Sequence, residues 1–141
     1  MTTFGSAVWR GGLKDGKGAL STKSGVLKDQ PYGFASRFEG KPGTNPEELI
    51  GAAHAACFAM AMSAGLGDAG FTAEQMDAQS DVTLEKVPDG FAITRIHLTL
   101  KAKIPKIDNA QFQKIADATK SGCPVSKVLK GATITLTASL V

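Results

Sequence analysis

One stretch of the chain, Thr44–Leu66, limits the possible folds more than any other. After Glu48 it contains only two polar side chains, His54 and Ser63, among alanines, glycines, methionines and a phenylalanine. Asn45, at its start, is a residue type that caps helix N-termini well. The stretch therefore predicts one long buried helix, apolar on nearly all sides, around which the rest of the chain packs.

The length of this helix also raises the question of a membrane span. At about 1.5 Å per residue it would extend roughly 30 Å, which is the thickness of a bilayer core. However, small residues dominate it, Glu47 and Glu48 open it, and no Lys or Arg flanks its far end. We therefore expect the central helix of a soluble fold and no association with a membrane.

Length and charge place further bounds on the protein. A chain of 141 residues is most simply a single domain, spanning residues 1–141, with enough mass to bury a core. No apolar run follows a basic N-terminus, so we expect no signal peptide and a cytoplasmic location. The net charge of +3 is spread along the chain without a basic run. This distribution argues against a nucleic-acid partner.

Outside the central helix, strand patterns predominate. Turn residues at short intervals between Thr3 and Gln30 predict a meander of short antiparallel strands. Polar and apolar residues alternate over Asp77–Val87, in the strand that returns towards Pro105, and near the C-terminus. Helical periodicity is confined to Asp108–Ser121 and to a short helix that ends at Leu129. The predicted fold is α+β, with antiparallel sheets wrapped around the long central helix.

The two cysteines occupy different positions. Cys57 lies in the middle of the central helix, and Cys123 directly precedes Pro124, where a helix N-terminus would favour a thiolate. From the residues alone three interpretations stay open: two inert buried thiols, a structural disulfide, or a redox-active pair. A disulfide closing so long a loop is worth roughly 4 kcal/mol on the chain-entropy argument, but a reducing cytosol would oppose it.

A metal site is the least favoured interpretation of these residues. His54 and His97 are the only histidines that could join Cys57 and Cys123, and no two of the four have zinc-finger spacing. We expect no metal and no cofactor. His54 is predicted to be a core or supporting residue that makes a hydrogen bond.

Four runs of sequence resemble the OsmC branch of the OsmC/Ohr family. They are SGVLKDQPYGFASRFEG, GTNPEELIGAAHAACFAMA, DVTLEKVPDGFAIT and GCPVSKVL, and together the resemblance covers essentially the whole chain. The family consists of bacterial peroxidases that reduce organic hydroperoxides to alcohols with two cysteines, in defence against oxidative and osmotic stress. The resemblance implies the same activity, an intertwined homodimer, and a dithiol reductant such as a lipoyl-bearing protein.

The resemblance also implies roles for single residues. It makes Cys57 the peroxidatic cysteine, Cys123 the resolving cysteine and Arg37 the activating arginine. Glu48 matches the glutamate that holds this arginine. The sister Ohr branch takes its arginine from nearer the N-terminus, which makes Arg10 a second candidate.

Helix geometry predicts that such a site is shared between two subunits. Glu48 and Cys57 are nine positions apart, so they lie on opposite sides of a helix and roughly 13 Å apart along it. We therefore expect Cys57 and Cys123 from one subunit to meet Arg37 and Glu48 of the other.

Apolar side chains are available to line a pocket for an alkyl peroxide, although each of them also suits an ordinary core: Tyr32, Phe34, Phe38, Phe58 and Met60. Two other functions stay open beside the peroxidase. One is a redox sensor that uses the Cys57–Cys123 pair as a switch without turnover. The other is a structural stress protein whose cysteines are inert.

Overall fold

The computed structural model describes residues 1–141, which divide into two compact units, Met1–Leu49 and Ile50–Val141. The helices and strands follow in the order β1 (Gly5–Arg10), β2 (Lys17–Thr22), β3 (Gln30–Tyr32), α1 (Phe34–Phe38), α2 (Pro46–Asp68), β4 (Gln75–Val87), β5 (Gly90–Lys103), α3 (Asn109–Gly122), α4 (Pro124–Val128) and β6 (Thr133–Leu140).

The first unit is the predicted meander. Strands β1, β2 and β3 form one antiparallel sheet, on which the rings of Trp9 and Tyr32 pack with centroids 5.6 Å apart. The short helix α1 was not predicted. It begins where the Gly33 N–H donates to the Ser36 hydroxyl at 3.0 Å, a cap that a sequence pattern of aromatic residues does not reveal. No residue of 1–49 is buried, so this unit has no core of its own.

Helix α2 is the predicted central helix. The Glu48 N–H donates to the Asn45 side chain at 2.8 Å, which confirms the expected cap. By length and composition it is the one helix of the chain that could cross a membrane. Its burial is one-sided, with a stripe facing the core that consists of Gly51, His54, Phe58, Met62 and Leu66.

Helix α2 is apolar on nearly all sides, as the sequence predicts, but the single chain buries only one of these sides. The opposite stripe is exposed, and the side chain of Met60 on it is 77% exposed. The chain folds back over one face only, because a single three-stranded sheet covers about one side of a helix.

The second unit builds its core on the sheet β4–β5–β6. The inward side chains of β5 are fully buried, as the alternation predicted: Ile96, Leu98, Leu100 and Ala102. Strand β6 pairs with β5 in parallel, from Arg95 opposite Thr133 to Ala102 opposite Leu140. The expectation of purely antiparallel sheets is corrected here, because the chain returns through α3 and α4 and enters β6 from the same end as β5.

Helix α2 lies unusually close to strand β4. A Cβ added at Gly51 would stand 2.8 Å from the backbone oxygen of Ser80, so only glycine fits this contact without a shift. The close approach brings the next inward residue of the helix, His54, within hydrogen-bonding distance of the Ser80 hydroxyl, at 3.1 Å.

Candidate active site

The two cysteines lie together at the start of α4. Both thiols are free; Cys57 is half-buried on α2, whereas Cys123 is 1% exposed. The Cys57 sulfur interacts with the Cys123 thiol and with the backbone N–H of Val125, in the first turn of α4. The structure thus brings together two sulfurs that are 66 positions apart in the sequence (123 minus 57).

The surroundings of Cys57 within this unit disfavour its ionised form. Burial raises the pKa of the Cys57 thiol, the hydrogen bond from the Val125 N–H lowers it, and the neighbouring Cys123 raises it again. The net direction is upward. A reactive thiolate at Cys57 therefore needs a positive group in addition to these contacts.

Cys123 is the N-cap of α4, as its position before Pro124 predicted. Its sulfur accepts the backbone N–H of Ser126 at 3.3 Å and lies 3.1 Å from the Ser126 hydroxyl oxygen. Ser126 occupies the third position of the helix, which is the position whose N–H a capping side chain accepts. The cap fixes the direction in which the Cys123 side chain points.

His54 is fully buried beside this pair. Its Nε2 lies 2.7 Å from the Ser126 hydroxyl and its Nδ1 lies 3.1 Å from the Ser80 hydroxyl. Burial alone lowers the pKa of His54, so the ring is neutral at pH 7. The prediction of a hydrogen-bonded core histidine is confirmed.

Arg37 lies in the first unit, on α1. Its Nη2 is 2.8 Å from Glu47 Oε1, and its Nε is 3.2 and 3.3 Å from the two carboxylate oxygens. Two donors on one carboxylate fix the plane of the guanidinium. The side chain of Arg37 is still 38% exposed, so the arginine is held in place without being enclosed.

The expected pairing of Glu48 with Arg37 is corrected by this geometry. No ion pair joins these two residues, because the Glu48 carboxylate turns back over the helix N-terminus and accepts the Asn45 amide at 3.4 Å. Glu47, one position earlier, forms the ion pair with Arg37. The other two arginines lie elsewhere: Arg10 ends β1, and Arg95 pairs with Glu85 at 2.8 Å.

An apolar cavity adjoins Arg37. Its volume is about 170 Å³, and its lining consists of Trp9, Leu13, Tyr32, Gly33, Phe34, Arg37, Phe38 and Pro46. Three of the five predicted pocket residues, Tyr32, Phe34 and Phe38, line it. Phe58 belongs to the buried core and Met60 to the exposed stripe of α2.

The chain contains no group of three or more His, Cys, Asp and Glu side chains placed to hold a metal ion. The two thiols and the hydroxyl of Ser126 lie together in residues 50–141, whereas the guanidinium of Arg37 lies in residues 1–49.

Comparison with known proteins identifies the family. Residues 38–138 match the sequence profile described as OsmC-like protein. Over 132 residues the chain is 60% identical to Peroxiredoxin OsmC of Escherichia coli, covering 94% of this chain and 92% of that protein. The chain belongs to the OsmC-like family.

More distant relatives agree with this membership. The chain is 35% identical over 93 residues to the organic hydroperoxide resistance protein of Xanthomonas axonopodis, covering 65% of this chain and 63% of that protein. Its fold matches the crystal structure of the organic hydroperoxide resistance protein OhrB of Bacillus subtilis. That match has a TM-score of 0.70 and 27% identity, and it covers 100% of this chain and 98% of the other.

Sequence reasoning missed three polar residues of this OsmC-like chain. Glu47 was passed over for its neighbour, although both lie in the first turn of α2. Ser126 carried a signal, since it follows the Cys123 cap by the three positions of a capping pair. Ser80 carried none, because only the close approach of α2 to β4 makes it a partner of His54.

Proposed function

We propose that this protein is a thiol-dependent peroxidase that reduces organic hydroperoxides to alcohols, in bacterial stress defence. The observation that carries the proposal is the meeting of Cys57 and Cys123 at the first turn of α4, with the more accessible sulfur on the long helix. Membership in the OsmC-like family, and the names of its relatives as a peroxiredoxin and as organic hydroperoxide resistance proteins, support it.

The chemistry runs in two steps. The Cys57 thiolate attacks one peroxide oxygen, the O–O bond breaks, and the alkoxide takes up a proton and leaves as an alcohol. Cys57 is then a sulfenic acid, and the Cys123 thiol attacks its sulfur to form a disulfide with release of water. A dithiol then reduces the disulfide by thiol–disulfide exchange and is itself oxidised.

Arg37 supplies what the surroundings of Cys57 lack. A free thiol with a pKa of about 8.5 is only a few per cent ionised at pH 7, and full ionisation would gain roughly 30-fold at most. The guanidinium must therefore also bind the peroxide and stabilise charge on the leaving oxygen. A preorganised donor of this kind is worth roughly 3–4 kcal/mol. The carboxylate of Glu47 holds the guanidinium of Arg37 in a fixed orientation for this purpose.

The site is composite in this proposal, with the arginine contributed by a second copy of the chain. Glu47, which holds Arg37, and Cys57 are ten positions apart on α2, which is about 15 Å along the helix axis. Three further observations favour a homodimer: residues 1–49 contain no buried residue, β1 is exposed along its whole length, and α2 keeps an apolar stripe in solvent. Small units without a core gain stability by association.

The partners follow from the same geometry. An apolar cavity next to a guanidinium suits a hydroperoxide with an alkyl or aryl group better than hydrogen peroxide, which has no apolar part. The reductant in this proposal is a dithiol, such as a lipoyl-bearing protein, and the location is the cytoplasm. Neither a nucleic acid nor a membrane takes part.

Reduction of cumene hydroperoxide with dihydrolipoamide as the electron donor tests the proposal. We expect Cys57→Ser to abolish turnover, and Cys123→Ser to accumulate the Cys57 sulfenic acid after one equivalent of peroxide. Arg37→Lys keeps the positive charge but loses the planar guanidinium with its several N–H donors. The reaction of Cys57 with the peroxide should therefore slow on the order of 10²-fold. Arg95→Lys is the comparison variant, because Arg95 is also ion-paired at 2.8 Å, and an unchanged first step in it would exclude Arg95 as the activating group.

Each alternative function predicts a different result in this experiment. A redox sensor would form the Cys57–Cys123 disulfide with peroxide but show no steady-state turnover with any dithiol. A structural protein would form no disulfide under these conditions. A normal first step in Arg37→Lys would exclude Arg37 as the activating group and direct the search to Arg10 or Arg95.

A further inference from the structure

A continuous chain of hydrogen bonds runs from the Cys123 sulfur to strand β4. The Cys123 sulfur lies 3.1 Å from Ser126 Oγ, which lies 2.7 Å from His54 Nε2, while His54 Nδ1 lies 3.1 Å from Ser80 Oγ. Cys123, Ser126 and His54 are 1%, 3% and 0% exposed. The peroxidase mechanism above assigns no task to His54 or Ser126.

The hydrogen bonds of this chain can run in either of two directions, and the direction sets the tautomer of His54. In the direction that carries a proton away from Cys123, the Cys123 thiol donates to Ser126 Oγ and the single Ser126 hydroxyl proton goes to His54 Nε2. In this direction the Nδ1–H of the ring donates to the Ser80 hydroxyl, and Nε2 is the nitrogen that accepts. Each group can pass one proton along without moving.

The neutral state of His54 fits this direction. Burial lowers the pKa of His54, so the ring reaches its neutral form more readily than a free imidazole does. The titratable groups next to the chain of hydrogen bonds are the Cys123 thiol at its end and the Cys57 thiol, which interacts with Cys123. Ser80 is the polar group that β4 contributes.

We propose that Ser126 and His54 form a proton relay that takes the proton of Cys123 when this residue forms the disulfide. The inference rests on the proposed function, since it concerns the second step of that reaction. Ser126 touches the reacting sulfur, and His54 acts through Ser126 as a positioning residue.

The step balances as follows. The Cys123 S–H bond breaks, its proton goes to Ser126 Oγ, and the Ser126 proton goes to His54 Nε2. The Cys123 sulfur attacks the Cys57 sulfur, the S–O bond of the sulfenic acid breaks, and the oxygen leaves as hydroxide. Hydroxide takes up one proton and His54 later releases one, so the products are a disulfide and one water. Cys123 is oxidised and the Cys57 sulfenic acid is reduced.

Quenched-flow mass spectrometry tests the relay by separating the two steps. Reduced protein receives one equivalent of cumene hydroperoxide, and the sulfenic acid and the disulfide are followed over time. Ser126→Ala removes the hydroxyl, and His54→Gln keeps a hydrogen-bonding side chain that cannot take a proton. We expect the ratio of the second rate to the first to fall about 10²-fold in each variant, the usual scale for lost acid–base catalysis. Ser121→Ala, an exposed serine near Cys123, is the matched control.

The pH profile distinguishes a relay from a merely structural role. Without the relay a thiol must lose its proton to water, so disulfide formation in both variants should rise about tenfold per unit between about pH 6 and 8. The wild-type rate should rise much less over the same range. Variants that form the disulfide as fast as the wild type, or that are slow to the same degree at every pH, would overturn the relay.

A second measurement needs no variant. In the reduced wild-type protein, ¹⁵N resonances of the imidazole should show His54 Nε2 without a proton and Nδ1 with one. The opposite tautomer would overturn the proposed direction. Failure of the proposed function gives a separate result, namely a wild-type protein in which peroxide oxidises neither cysteine.

Discussion

His54 is a titratable ring in the core, with a hydroxyl beside each of its two nitrogens. Its folded-state pKa lies below the ordinary 6.5, because burial disfavours the imidazolium. The unfolded chain therefore binds more protons below about pH 6.5. The stability that the neutral ring contributes is complete above about pH 6.5 and is lost as the pH falls from there towards the folded pKa.

Thermal unfolding at a series of pH values measures this effect. The wild-type melting temperature should fall as the pH is lowered from about 7 to 5, and His54→Gln should remove part of that slope. His97→Gln is the matched control, because the His97 ring hydrogen-bonds Thr135 and Thr137 on the sheet surface. If the melting temperature fell equally with pH in the wild type and in His54→Gln, burial of the His54 ring would not be a source of the lost stability.

At this scale the sequence indicates candidate residues but not the side chains with which they pair. The runs around Cys57, Cys123 and Arg37 are specific enough to make these side chains candidates, and their roles stay predictions. The choice between Glu47 and Glu48 is not indicated by the sequence, because both stand in one helical turn and the rotation of α2 against α1 decides it. The partners of His54 are 26 and 72 positions away, at distances that only the packed fold sets.

Among the elements, the packing of α2 against β4 depends on a small side chain at Gly51. Gly51→Ala places a Cβ 2.8 Å from a backbone oxygen of β4, so helix and strand must separate. We expect a loss of about 1–3 kcal/mol, the usual cost of overpacking, reduced somewhat by the better helix propensity of alanine.

Gly67→Ala in the same helix is the control for this prediction. A Cβ there meets nothing within 4 Å, and the substitution should stabilise by about 0.5–1 kcal/mol. Urea unfolding of both variants gives the two free energies. If the two substitutions had the same sign, close packing at Gly51 would not limit the fold.

Element positions were predictable where a local pattern decides them. The cap at Asp108, the break at Cys123 and the alternation along β5 follow from adjacent residues. The direction of β6 does not, because alternation is the same in parallel and antiparallel strands. The exposure of one stripe of α2 could likewise not be predicted, because the composition of a helix does not indicate how many of its sides the sheet will cover.

For the whole molecule, the exposed apolar surface is the feature that a partner would explain. We expect light scattering after size exclusion to give twice the chain mass of 14.6 kDa. Met60→Glu introduces a charge on the exposed stripe of α2 and should shift the mass towards the monomer and reduce peroxidase turnover together.

Val128→Glu is the control for that substitution. It introduces the same charge at a side chain that is 83% exposed on α4, away from the stripe, and should leave the dimer intact. A wild-type monomer that still turns over hydroperoxide would contradict the composite site.

The parallel pairing of β5 with β6 determines how this enzyme places its second cysteine, Cys123. A hairpin would join these strands in a few residues, whereas neighbours that run the same way require the chain to travel back along the sheet first. The segment that runs back along the sheet contains α3 and α4, and it places Cys123 beside the long helix. A direct hairpin connection between β5 and β6 would have left Cys57 with no second thiol with which to form a disulfide.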